Sequence, residues 1–275
     1  MDIEIRDDFD LKKIVNSGQC FRPTEIRDGW YRFVVGEKIL HIRKRGENVF
    51  EVDCTADDWQ RVWTTYFDLT TNYADIRRDI ETFAHGRTCE KFLRDAVDFG
   101  AGIRILRQAS FEMLISYIIS QRKNIPAIRS SVEKICARFG RRVDTNFGEV
   151  HLFPTVDEIS AATLDDLTGL GLAYRKAYIL DAVKKVSSGE LDLTALENFS
   201  DTELVDTLKK IHGVGDKIAN CVALFAYHRV DRAPVDVWIK RAIERDFGGE
   251  NIFDTFGDNA GILQQYVFHF KRTHR

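Results

Sequence analysis

LVDTLKKIHGVGDKIANCVALFAYHRVDRAPVDVWIKRAIERD, residues 204–246, decides how this chain is read. Leu204, Val205, Leu208 and Ile211 recur at helical spacing and mark an amphipathic helix. It runs into His212-Gly213-Val214-Gly215, and a second helix starts at once with Lys217 in its first turn. Pro234-Val235-Asp236 then opens a third helix at Val237, with Asp236 as its N-cap. Two glycines at a helix N-terminus leave backbone N–H groups unpaired at the positive end of the dipole, which makes a cradle for an anion such as phosphate. Lys217 is out of place there, because the dipole repels a cation. The same field, with partial burial, is expected to lower its pKa and leave the free amine that a lysine nucleophile requires. Each feature has a plainer alternative: glycine C-caps are common, an Asp N-cap needs no chemistry, and most first-turn lysines are solvated. The combination is what points to a site.

Around this unit the pattern is helical. Phe111, Leu114, Ile115, Ile118 and Ile119 form the core stripe of one helix. The polar break Ser120-Gln121-Arg122-Lys123-Asn124 ends it, and Pro126 suits the first position of the next. Thr155-x-x-Glu158 and Ser200-x-x-Glu203 are capping boxes. Leu170 to Arg175 form a loop opening another helix, and residues 260–271 read as a final helix rich in aromatics. The first 53 residues differ. WYRFVV (30–35) and KILHIRK (38–44) flank Gly36-Glu37, and NVFEVD (48–53) follows, an antiparallel meander with one buried face. Residues 56–98 look mainly helical, and from about 100 onward helices alone are expected. Segregated strands and helices predict an α+β protein: a β-containing domain over 1–90 with flanking helices, and a helical domain over 91–275.

The chain has 275 residues, 44% hydrophobic and 30% charged, enough to bury a substantial core. No apolar run approaches the ~20 residues of a membrane span, and the N-terminus has no apolar signal core. The five scattered cysteines argue for reduced thiols in the cytoplasm, at the nucleoid in a prokaryote, and against a structural zinc or a cysteine-ligated cluster. Neither metal nor cofactor is expected, and the chain should act as a monomer. Net charge is −3, yet residues 103–142 carry nine cations against two anions, a stripe that would suit a phosphate-facing surface.

The segment Ile211–Asp236 resembles the helix-hairpin-helix DNA glycosylase superfamily, and the rest of the chain narrows the resemblance. SGQCFR (17–22), GIRILRQ (102–108), ISQRKNI (119–125), LGLAYR (170–175) and AGILQQYVF (260–268) are similar, in the same order, to the 8-oxoguanine DNA glycosylase branch. The resemblance implies a bifunctional DNA glycosylase and apurinic-site lyase in base excision repair, with duplex DNA containing oxidised guanine as partner. It implies Lys217 as nucleophile and Asp236 as catalytic aspartate. It implies Gly18, whose carbonyl accepts from the N7 hydrogen that guanine lacks, Cys221 and Phe268 as a sandwich for the flipped base, and Gln264 on its pairing edge. It also implies DNA contacts by Asn124, by the hairpin amides of Gly213 and Gly215, by Tyr174 as a wedge, and by Arg175 as reader of the orphaned cytosine.

Two departures stand out. Arg122 replaces the asparagine that fills the vacated stack in eukaryotic members, and Ala127 replaces their second cytosine-reading arginine. Because alanine offers no donor, the demand for cytosine opposite the lesion should be loose. The alternatives are the same fold acting on an alkylated or pyrimidine lesion, and a helix-hairpin-helix module that only binds DNA.

Overall fold

The computed structural model describes residues 1–274 and builds two hydrophobic cores on either side of one buried strand-like segment. The N-terminal sheet has five antiparallel strands: β1 (Asp2–Glu4), β2 (Thr24–Arg27), β3 (Trp30–Val35), β4 (Lys38–Lys44) and β5 (Val49–Val52), in the order β1-β5-β4-β3-β2. Val35 pairs with Lys38 across Gly36-Glu37, as the sequence predicts. Alternation sends Phe33, Leu40, Ile42 and Phe50 to one face. There they meet Ile14, Trp63, Phe67 and Leu106.

The other face is not simply solvated, and the expectation of helices alone beyond residue 100 fails for one element. Strands β6 (Arg142–Thr145) and β7 (Gly148–His151) form a hairpin. Its tip residue Phe147 stacks on His41 at 4.3 Å and leans on Trp30 at 4.9 Å. His41, on the face of β4 opposite Leu40 and Ile42, is therefore buried, with Nδ1 2.5 Å from Asp53 Oδ2. Val150 and Leu152 cover Val34. Residues 142–151 are too polar and short to show this pairing in their own pattern; the sheet face they cover supplies the reason.

The larger core is helical. It includes helix Tyr73–Ala84, which packs beside Glu90–Gly100, so the segment after about residue 70 joins the helical mass. Helix Ser110–Ser120 lies at its centre, with Met113 to Ile119 buried without a break. Segment 103–106 runs between the cores, Ile105 facing one and Leu106 the other. Both capping boxes form, and Pro126 falls at the second position of helix Ile125–Phe139, one residue later than expected but still within the first turn.

The basic stripe over 103–142 is largely taken up by partners within the protein. Arg104 is fully buried, donating to the carbonyls of Phe67, Asp8, Asp68 and Thr71 and to the Asp7 carboxylate. Arg107 pairs with Asp68, Arg138 with Asp166, Arg141 with Glu37 and Arg142 with Glu149. The stripe is therefore not a continuous phosphate-facing surface; Arg122 and Lys123 are its members that line the cleft described below. No helix among the described residues is long and apolar enough to cross a membrane.

Candidate active site

The hairpin is built on Tyr178. Gly213 has φ +82°, and a Cβ there would stand 2.3 Å from Tyr178 Cδ2, so glycine is required by conformation and by space. The Asp181 carboxylate accepts from the His212 amide at 2.8 Å, and Tyr178 packs edge-on against His212 at 4.6 Å. These contacts tie the hairpin to helix Arg175–Ser187. Among the described residues the amides of Gly213 and Gly215 find no acceptor. Gly215 caps helix Asp216–Ala226 without a side chain, which places Lys217 in the first turn.

Asp236 caps helix Val237–Arg245, its Oδ1 accepting from the amides of Trp238 and Ile239, each at 2.9 Å. A capping carboxylate cannot swing, so it faces one direction. Burial raises its pKa; the cap amides and the charge of Lys217 pull the other way.

The side chains expected to act together do converge. Gly18, Lys217, Cys221, Asp236, Gln264 and Phe268 line one recess of ≈ 50 Å³. It shares Gly18, Tyr117, Lys217, Asp236 and Phe268 with an open cleft of ≈ 620 Å³, which also takes in Arg122 and Asn124. Cys221 is buried, and burial pushes its thiol up to about 11 despite the Lys217 charge beside it. The Nε2 of Gln264 donates to the Pro234 carbonyl at 3.0 Å, while its buried Oε1 has no partner. An acceptor left in that state costs free energy unless a ligand donor meets it. Gly18 has φ +90°, and a Cβ would approach Phe268 Cε1 at 2.9 Å.

Outside the recess, Tyr174 heads its helix at 49% exposure, an aromatic offered to solvent rather than a core tyrosine. Arg122 is exposed with φ +48°, and Asn124 caps the helix that follows it. Arg175 is not presented to solvent as Tyr174 is. It is buried, and its guanidinium donates to the carbonyls of Gln121 and Leu172. Sequence reasoning also missed Tyr117 and Gln265, which line the recess, and Arg272, which lines the cleft. Tyr117 was hidden in an apolar helix, and Gln265 beside the more conspicuous Gln264.

Residues 3–114 match the family model of the 8-oxoguanine DNA glycosylase N-terminal domain, and residues 115–255 that of the HhH-GPD superfamily of base excision DNA repair proteins. The structure of Clostridium acetobutylicum 8-oxoguanine glycosylase/lyase, in complex with duplex DNA containing cytosine opposite the lesion, superposes with a TM-score of 0.89 at 32% identity, covering 100% of this chain and 98% of that one. The chain belongs to the 8-oxoguanine DNA glycosylase family.

A second family structure, MBOgg1 in complex with a low-affinity DNA ligand, matches with a TM-score of 0.93 and 34% identity over 99% of this chain and 95% of that chain. The N-glycosylase/DNA lyase of Saccharomyces cerevisiae is 37% identical over 158 residues, 53% of this chain but only 42% of the yeast protein. No cluster of three or more His, Cys, Asp or Glu side chains among the described residues could hold a metal ion.

Proposed function

We infer that this protein excises 8-oxoguanine from duplex DNA and then cleaves the strand at the abasic site, acting as a monomer on DNA in the cytoplasm. One observation carries the reading: Lys217 and Asp236 share a single recess with Gly18, with Gln264, whose buried oxygen is unsatisfied, and with the aromatic wall of Phe268. A module that only binds DNA would need the hairpin amides and none of these.

A base stacked in a duplex cannot be attacked at its sugar, so the nucleotide is extruded at a cost of a few kcal/mol. Tyr174 stacks into the duplex at the lesion, and Arg122 covers the gap with its planar guanidinium, offsetting part of that cost. The hairpin amides of Gly213 and Gly215 hold a backbone phosphate and set the register. The base enters between Cys221 and Phe268. Gln264 Oε1 accepts from its N–H edge, and the Gly18 carbonyl accepts from N7–H. Unmodified guanine presents an N7 lone pair there, turning a hydrogen bond into a repulsion of the kind that discriminates strongly.

Lys217 Nζ then bonds to the anomeric carbon as the glycosidic bond breaks and the base departs with the electron pair. Asp236 stabilises the positive charge that develops on the sugar, a contribution commonly worth about 3 kcal/mol. The C1′–O4′ bond of the resulting aminal then breaks, the amine's proton passing to O4′, which opens the ring and leaves an iminium; loss of a proton from C2′ expels the 3′ phosphate, which is the lyase step. Because Ala127 offers no donor and Arg175 is held on carbonyls, the opposite base is read loosely. Cleavage of duplexes with 8-oxoguanine opposite each of the four bases, beside an undamaged and a 3-methyladenine duplex, tests the reading. Cleavage of the 8-oxoguanine strand in all pairings is expected. Preference for the alkylated base, or no cleavage at all, would overturn it.

A further inference from the structure

Residues 15–19 present a run of backbone carbonyls of which all but one are held by side-chain donors. Arg129 Nη2 donates to the Val15 carbonyl at 2.6 Å, Arg272 Nη2 to that of Asn16, and Gln265 Nε2 to that of Ser17 at 2.9 Å. The Tyr117 hydroxyl donates to the Gln19 carbonyl at 2.9 Å. Among the described residues only the Gly18 carbonyl in this run receives no donor. The donors come from helices Ser110–Ser120, Ile125–Phe139 and Ala260–Thr273, so three separate helices converge on one loop.

The arrangement answers a physical difficulty. A carbonyl tells an N–H from a lone pair only if it cannot move aside. Gly18 sits at φ +90° with no side chain, so its flanking peptides are among the easiest in the chain to rotate. Each neighbouring carbonyl that is fixed removes a route by which the loop could relax. Arg272 does this from a distinctive position. Its guanidinium carbon lies 5.5 Å from the centroid of Phe268, and its Nη1 stands 3.2 Å from where a Gly18 Cβ would be. One side chain thus ties the aromatic wall of the recess to the loop that carries the discriminating oxygen. Burial lowers its pKa, with Arg129 adding to the effect.

We propose that Arg272 is a positioning residue for lesion discrimination: with Arg129 and Gln265 it locks the peptides around Gly18, so that the Gly18 carbonyl cannot turn away from N7 of a bound purine. The inference rests on the reading of Gly18 given above.

The test compares the intact protein with its Arg272→Met and Arg272→Lys variants. Competition binding is measured on duplexes carrying 8-oxoguanine or 8-bromoguanine, the latter bulky at C8 but keeping the N7 lone pair. Wild type should strongly prefer 8-oxoguanine. Arg272→Met keeps an apolar contact with Phe268 but loses the donor, and the preference should fall about tenfold, with partial recovery in Arg272→Lys. Gln265→Met, acting on the Ser17 carbonyl, should narrow the preference independently and serves if Arg272→Met does not fold. An unchanged preference in both variants, or parallel loss of affinity for both lesions, overturns the proposal. A wild type without the preference overturns the reading of Gly18 itself.

Discussion

Lys217 holds its amine 5.2 Å from the centroid of the Tyr117 ring, and the hydroxyl of that same tyrosine donates to the Gln19 carbonyl. One buried aromatic therefore carries the proposed nucleophile on its face and steadies the lesion-reading loop with its edge. Tyr117 also stacks on Phe225 at 5.7 Å with ring planes 8° apart, which fixes its tilt. The chemistry and the recognition are built on one rigid support.

Asp236 separates two roles that a single residue plays. Asn is as good an N-cap as Asp, so Asp236→Asn should fold normally while excision in single turnover falls about a hundredfold or more. The wild-type rate should decline as pH falls through a value above the ordinary 3.8, because burial raises this carboxyl and the protonated form cannot stabilise a cation. An acid limb at or below 3.8 would contradict this assignment.

Gly18→Ala combines strain with crowding, since φ is +90° and the new Cβ would press on Phe268 and Ile125. Excision of 8-oxoguanine should drop far more than cleavage of a preformed abasic site, which needs no base pocket. The ratio of the two rates, measured on matched duplexes, is the relevant quantity.

Tyr174 is exposed, and its ring meets Tyr178 edge-on and the Arg175 guanidinium at 4.5 Å, both on its own helix. Tyr174→Ala should leave the melting temperature nearly unchanged and weaken binding to lesion duplex by about 1–3 kcal/mol, the worth of one stacking platform. A gel-shift titration decides it.

Glu112 gives a stability prediction remote from catalysis. Burial raises its pKa to about 7, partly opposed by Arg22. Ionising it inside the protein is costlier than in the unfolded chain, so the stability it lends is complete below its unfolded value of 4.5 and is lost as pH rises through about 7. Glu112→Gln should therefore gain stability over wild type at pH 8, by up to about 3 kcal/mol, with the advantage shrinking toward pH 5. Urea melts at the two values would show it.

How far the sequence alone carried is best seen residue by residue. The hairpin, both capping boxes, the Asp236 cap and the Gly36-Glu37 turn were legible because each is fixed by neighbours within a few positions. Lys217 and Asp236 stood out within the hairpin unit itself, whereas Gly18, Cys221, Gln264 and Phe268 were legible as members of one recess only through resemblance, since they are spread over separate elements. What escaped was decided by distant contacts. Arg104 reads as a surface cation until four carbonyls and a carboxylate enclose it. Residues 142–151 form a hairpin because Val34 and His41 need a cover. Nothing near Arg175 in sequence shows that its guanidinium is held by the Gln121 carbonyl, 54 positions away.

The proposed chemistry requires Lys217 to form a covalent bond to the sugar. Borohydride added to wild-type protein and 8-oxoguanine duplex should trap a protein–DNA adduct, visible as a slow band under denaturing conditions. Lys217→Gln should give no adduct while still binding the duplex. No adduct from wild type, or an undiminished adduct from Lys217→Gln, would contradict the account.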